Sequence, residues 1–225
     1  WVRRTSSVLR AGVGNPLMTL TASPRLTKGA LVVMAPGGGA IRHTIAMQYN
    51  PDQISHTYQV QGAGGDGGGE RAQPFRLKGP AVESIKLDAE IDATDQLEFP
   101  DSNPNAARFG IGPQLAVLES LINPSVDELL AIDTQSANGT LEILPPEAPL
   151  VLFQWGQSRV APVRVTEFSV TEEAFDPALN PVRAKISLGL RVLSTDDLGF
   201  RHKGGTMFIG YLRNREALAA KAKAG

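Results

Sequence analysis

The sequence predicts a mainly β (α+β) fold: an antiparallel β-sandwich or partly open β-barrel, with one packed helix and a C-terminal, partly helical extension. Three observations predict it. Ile85, Leu87, Ala89 and Ile91 alternate with Lys86, Asp88, Glu90 and Asp92. Val182, Ala184, Ile186, Leu188, Leu190 and Val192 alternate with Arg183, Lys185, Ser187, Gly189 and Arg191. Period two puts each apolar set on one strand face and the charges on the other. By contrast, Ile111, Leu115, Leu118 and Ile122 recur at helical spacing. Strands with one apolar face need a covering layer, and the helix is the available cover.

In chain order, residues 1–28 show no sustained period and carry Gly12, Gly14, Pro16 and Pro24, which reads as an irregular N-terminal arm. Met18 is a candidate start within it. Gly29 to Ala35 is a short apolar strand closed by Pro36 and three glycines. Ile41, His43, Ile45, Met47 and Tyr49 form a half-buried strand that Asn50-Pro51 ends, and Ile54, His56, Tyr58 and Val60 form the next. The glycine-rich stretch from Gly62 through Gly64, Gly65, Asp66, Gly67, Gly68 and Gly69 breaks the pattern. After the strand at 85–92, Pro113 suits a helix start and Asn123-Pro124 its stop, with a further helical turn at 126–132. Val163 and Val165 stand in one strand phase and Phe168 and Val170 in the other, so Thr166-Glu167 reads as a β-bulge. Phe175 to Pro181 suits a turn, and Met207 to Lys223 reads as a helix with a ragged face, its good helix formers lying after Arg215. The expected organisation is an arm at 1–28, a β domain at 29–194 and an extension at 195–225.

Composition narrows the function. The 225 residues have a formal net charge of -1, so no global field draws the chain to nucleic acid or an anionic membrane. Basic residues do not interleave with aromatics, as a nucleic-acid surface requires. Cysteine is absent, which excludes disulfides, thiolate metal sites and a cysteine nucleophile. No apolar run approaches the roughly 18–20 residues of a membrane span, and no signal-peptide core follows the basic N-terminus.

Motifs for chemistry are weak. The glycine-rich stretch lacks the Gly-Lys-Ser/Thr ending of a phosphate loop and reads as a surface loop. His43, His56 and His202 fit no metal-ligand spacing, and Ser120 and Ser169 lack a nucleophile elbow. Asn138-Gly-Thr140 matches a glycosylation sequon but is also a turn. Asp88, Glu90 and Asp92 share a strand face, where mutual repulsion could raise a carboxyl pKa, so a hydrolase reading starts there. A carbohydrate-binding β-sandwich using Trp155 and Tyr58 as stacking platforms is the other alternative. The acidic strand (Asp88, Glu90, Asp92) and the basic one (Arg183, Lys185, Arg191) could pair within one sheet or between subunits, or simply be solvated faces.

Four segments, in order over about residues 40–194, resemble the tube-protein family of extracellular contractile injection systems, relatives of phage tail tubes. They are Met47-Gln-Tyr-Asn-Pro51 with Ile54-Ser-His-Thr-Tyr58; Leu87-Asp-Ala-Glu-Ile-Asp-Ala-Thr-Asp95; Pro145-Pro-Glu-Ala-Pro-Leu-Val-Leu-Phe-Gln-Trp-Gly156; and Val163 to Pro177 with Asn180-Pro-Val-Arg-Ala-Lys-Ile-Ser-Leu188. The resemblance is closest to the adaptor between inner tube and central spike. It implies a phage tail-tube type domain and a homo-oligomeric ring, a hexamer, with inner-tube, spike and baseplate proteins as partners. It implies no cofactor, no catalysis and no membrane insertion. It also implies assembly in the cytoplasm into a particle that stays cytosolic or is released. In such a ring Asp88, Glu90, Asp92, Arg183, Lys185 and Arg191 are expected inter-subunit contacts, and Gly62 to Gly69 a mobile assembly loop. Adaptors of this kind often carry a LysM-like module; Arg201-His-Lys-Gly-Gly-Thr-Met-Phe-Ile-Gly-Tyr211 does not resemble an intact one.

Overall fold

A computed structural model describes residues 27–62, 77–137 and 148–222 of the chain. Most of the expected N-terminal arm, residues 63–69 of the glycine-rich segment and the Asn138 sequon lie outside the described residues. Seven strands form one antiparallel sheet that does not close on itself: β1 (Ala30–Met34), β2 (Ile41–Ala46), β3 (Ile54–Gln59), β4 (Val82–Asp92), β5 (Leu150–Trp155), β6 (Arg159–Phe175) and β7 (Pro181–Val192). Their order is β2-β1-β5-β6-β7-β4-β3, so the expected mainly β, antiparallel fold is observed as one unclosed sheet, not as two packed sheets. Six α-helices accompany it among the described residues: α1 (Thr94–Leu97), α2 (Pro104–Phe109), α3 (Gly112–Glu119), α4 (Val126–Ala137), α5 (Thr195–Leu198) and α6 (Lys203–Ala222).

The core follows from strand patterning. Ala184, Ile186, Leu188, Leu190 and Val192 of β7 are buried, together with Ile85 and Leu87 of β4. They share one cluster with Leu31, Val151, Phe153 and Val163, with Ile111, Leu115 and Leu118 at and along α3, and with Phe208 and Tyr211 of α6. Each large aliphatic side chain so buried contributes about 1.5–3 kcal/mol. A second cluster, Val32, Met34, Leu150 and Leu152, lies against Leu198 and Met207. β1 and β5 are therefore covered on both faces, which is why they read as continuous apolar runs, whereas β4 and β7 alternate.

The slip at Thr166-Glu167 is present as a register shift between Val165 and Glu167. The hairpin turn after Phe175 is held by Asp176, whose carboxylate accepts from the Ala178 and Asn180 N–H groups while Leu179 adopts φ +66°. The helical layer docks on this turn: the Ile111 N–H donates to Pro181 O at 2.8 Å, and Asn180 Nδ2 donates to Arg108 O. Gly110 makes the approach possible, because at its φ of +58° a Cβ would lie 2.0 Å from Pro181 O.

Four expectations are corrected. The strand over 41–49 ends at Ala46, and as an edge strand it is mostly exposed rather than half-buried. The helical face at Ile111 to Ile122 stops at Leu118, because α3 ends at Glu119 and leaves Ile122 exposed. The turn at 126–132 is the full helix α4, and the C-terminal helix begins at Lys203.

Candidate functional site

The charged face lies on the side of β4, β7 and β6 away from the core. Register places Asp92 opposite Arg183, Glu90 opposite Lys185, Asp88 opposite Ser187 and Lys86 opposite Gly189. The acidic and basic strands thus pair side by side within one chain. Arg183 Nε lies 2.8 Å from Asp92 Oδ2 and 3.8 Å from Glu90 Oε1. Lys185 Nζ meets Glu173 Oε1 on β6 at 2.7 Å, and the Ser187 hydroxyl donates to Asp88. Lys86 reaches across β7 to Glu167 at 2.8 Å. It crosses over Gly189, where a Cβ would stand 2.8 Å from Glu167 Cβ. Arg191 turns to Asp197 at 2.7 Å, while its Nε is buried with no partner among the described residues. The Thr94 hydroxyl, against the cost of burial and helped by the Thr94 N–H and Arg183, holds Asp92 below the usual carboxylate range. Glu173 raises Lys185, and Asp92 raises Arg183.

Two long strands outrun their neighbours. β3 pairs with β4 only as far as Ile54–Leu87, so residues 88–92 of β4 have no strand on that side among the described residues. β5 pairs with β6 only as far as Val151–Val163, which leaves residues 164–175 of β6 equally unpaired on that side. The free edge of β4 is met at one point. Gln48 Nε2 donates to Asp92 O at 2.7 Å, and the Asp92 N–H donates to Gln48 Oε1 at 2.9 Å. A carboxamide stands there in place of a neighbouring peptide group. Ile45, Met47, Ala89, Ile91 and Leu118 line an apolar cleft beside it.

A second polar cluster was not anticipated from sequence. Glu83, in β4, is 4% exposed. Its carboxylate lies 2.8 Å from His56 Nδ1 and accepts from the hydroxyls of Tyr58 and Tyr211, each at 3.0 Å, and from Arg215 Nη2 at 2.8 Å. Arg215 also lies over the Tyr211 ring, 4.4 Å from its centroid. Burial, and then the Glu83 charge, push the Tyr211 phenol well above its ordinary pKa, and the same causes raise Tyr58. Glu83 stands in phase with Ile85 and Leu87, and that parity was the available signal that its side chain points inward. Every donor here holds α6 and β3 to β4, so the cluster is a clasp.

The remaining candidates separate. Gly62 forms a bridge with Leu77 at the base of the glycine-rich segment, and Gly64, Gly65, Asp66, Gly67, Gly68 and Gly69 fall outside the described residues. His43 is exposed on β2, while His202 Nδ1 accepts from the Gly204 N–H at the start of α6. Trp155 stacks on Phe153 against the core, and Tyr58 is engaged by Glu83 and Arg215; they sit in β5 and β3 and form no shared platform. Among the described residues, no group of three or more His, Asp or Glu side chains is placed to hold a metal ion. No helix among them is long and apolar enough to cross a membrane. No curated protein matches the chain. A family model described as contractile injection system tube protein matches residues 35–199.

Proposed function

The chain belongs to the contractile injection system tube protein family, and on that premise we propose that it is a structural subunit forming a hexameric ring at the baseplate end of the inner tube, where it joins tube to spike. The observation that carries this reading is the pair of edges flanking one slab of sheet that no strand covers among the described residues: residues 164–175 of β6 on one side and 88–92 of β4 on the other. An exposed strand edge invites pairing with another chain, and a ring uses such edges instead of leaving them to aggregate. β6 and β4 are both antiparallel to β7, so they run in the same direction. A rotation about a ring axis preserves strand direction, so the junction between copies would be parallel.

In this reading the face bearing Asp88, Glu90, Asp92, Arg183, Lys185 and Arg191 forms the polar wall of the ring. Its side chains are mostly compensated within the subunit and add contacts to neighbours at its margins. Residues 62–69 serve as the assembly loop. The subunit works without catalysis or cofactor, assembles in the cytoplasm, and then remains part of a phage-tail-like particle.

Charge reversal at the wall, Arg183→Glu/Lys185→Glu, tests the reading. The expected result is a subunit that still folds but yields few or no rings by electron microscopy. Normal rings in this variant would remove the wall from the interface. A wild-type chain that sediments as a monomer at every concentration and is missing from particles would overturn the ring itself.

A further inference from the structure

Among the described residues α4 packs against no other element extensively. None of its residues is buried, and Val126, Leu129 and Leu130 are 71%, 51% and 60% exposed. They stand at i, i+3 and i+4 of the helix, so they form a single apolar stripe. A helix this short is marginal in water unless its apolar face packs. What holds α4 locally is a reciprocal cap: the Ser125 N–H and hydroxyl donate to Glu128, and the Glu128 N–H donates to Ser125 Oγ. The stripe is flanked by Asp127 and Asp133, while Glu128 is taken up by Ser125 and lies near Arg42 of the same chain.

The complementary surface is the free end of α6. This helix packs on β6, α5 and the turn at Pro36–Gly38, and is clasped to Glu83 through Tyr211 and Arg215. Beyond the clasp, residues 216–222 are exposed throughout and project from the body. That end carries Leu218, half exposed, among Ala217, Ala219 and Ala220; exposed Lys221 stands one turn beyond Leu218, exposed Arg213 one turn before Ala217, and Glu216 is exposed as well. Small side chains let a second helix approach closely, since interaxial distance follows the residues at the contact.

We propose that α4 of one copy docks on the projecting end of α6 of a second copy. Apolar contact would run from Val126, Leu129 and Leu130 to Leu218 and its alanines, and the acids flanking α4 would face Arg213 and Lys221. The two patches differ, so the contact is head-to-tail, the kind that propagates from copy to copy until a ring closes. The inference rests on the ring reading but uses surfaces separate from the strand edges, and α6 lies outside the family-matched residues.

The absence of native cysteine makes the test clean. A Leu129→Cys/Leu218→Cys chain, oxidised under assembling conditions, should give a ladder of covalent multimers, while either single variant should give none beyond a dimer. Asp127→Lys/Asp133→Lys should weaken self-association about tenfold or more, and mixing with Arg213→Glu/Lys221→Glu should restore it. These positions are exposed, so circular dichroism should show both variants folded. Rings without a ladder, or Leu129→Cys linking only to itself or to another particle component, would overturn the α4–α6 contact and leave the ring standing. A chain monomeric in every condition would overturn both.

Discussion

Strand β4 carries carboxylates at both ends, and the two ends behave as different materials. Glu83 points into the core side and is enclosed by donors from β3 and α6. Asp88, Glu90 and Asp92 point the other way and meet one partner each, or two for Asp92, on the face away from the core. The difference is parity: odd positions in this strand face the core side, buried from Glu83 to Leu87 and half-buried at Ala89 and Ile91, where the cover thins. Burial then sets the worth of each contact. A hydrogen-bonded ion pair removed from water is costly to break from one side, while exposed pairs are screened and contribute little. One strand thus supplies a fastening for the C-terminal helix at one end and a polar face away from the core at the other.

The sharpest way to break this comparison is Glu83→Ala. It leaves Arg215 and two tyrosine hydroxyls without their acceptor and should cost about 3 kcal/mol, the lower end for a broken buried pair because the Arg215 side chain is a third exposed. Urea unfolding measures it; a loss no larger than that of Asp88→Ala would remove the distinction between the two ends. Tyr211→Phe is the next step down, deleting one buried hydroxyl while keeping the ring, and should cost about 1–2 kcal/mol. Hydrogen exchange should locate that loss in α6, and protection there equal to wild type would show that the clasp does not hold the helix.

The smallest effect is an acid one. Asp92 is held below its unfolded value, so its contribution is fully present above about pH 3.9 and is lost as pH falls through the lower folded value. Stability measured from pH 6 to 2 should therefore fall less steeply at the acid end in Asp92→Asn than in wild type. An unchanged slope would show that the Thr94 and Arg183 contacts persist in the unfolded chain or do not bind the charged form.

Strand parity was legible where it coincided with hydrophobicity. The alternation in β4 and β7, the bulge near Thr166 and the Asp/Asn-rich turn all follow from single-strand patterning. Glu83 was missed because a charged residue at an inward position looks like the end of the pattern. α6 was read only in part for a similar reason. Its seated stripe is Gly204, Phe208, Tyr211 and Arg215, at helical spacing but with chemistry running from no side chain to a cation. Periodicity measured by hydrophobicity cannot register such a face. The single open sheet and its uneven strand ends were illegible as well, because strand order and pairing depend on contacts distant in sequence.

Gln48 has a consequence for scale. Its carboxamide occupies both outward hydrogen-bonding groups of Asp92, so any strand laid along the free edge of β4 must stop before that residue. In a cylinder assembled from repeated slabs, stagger between adjacent slabs and strand tilt together fix the diameter. A doorstop at one end of each junction limits how far neighbours can slide. In the proposed ring, a single glutamine would thereby help set the calibre of the bore.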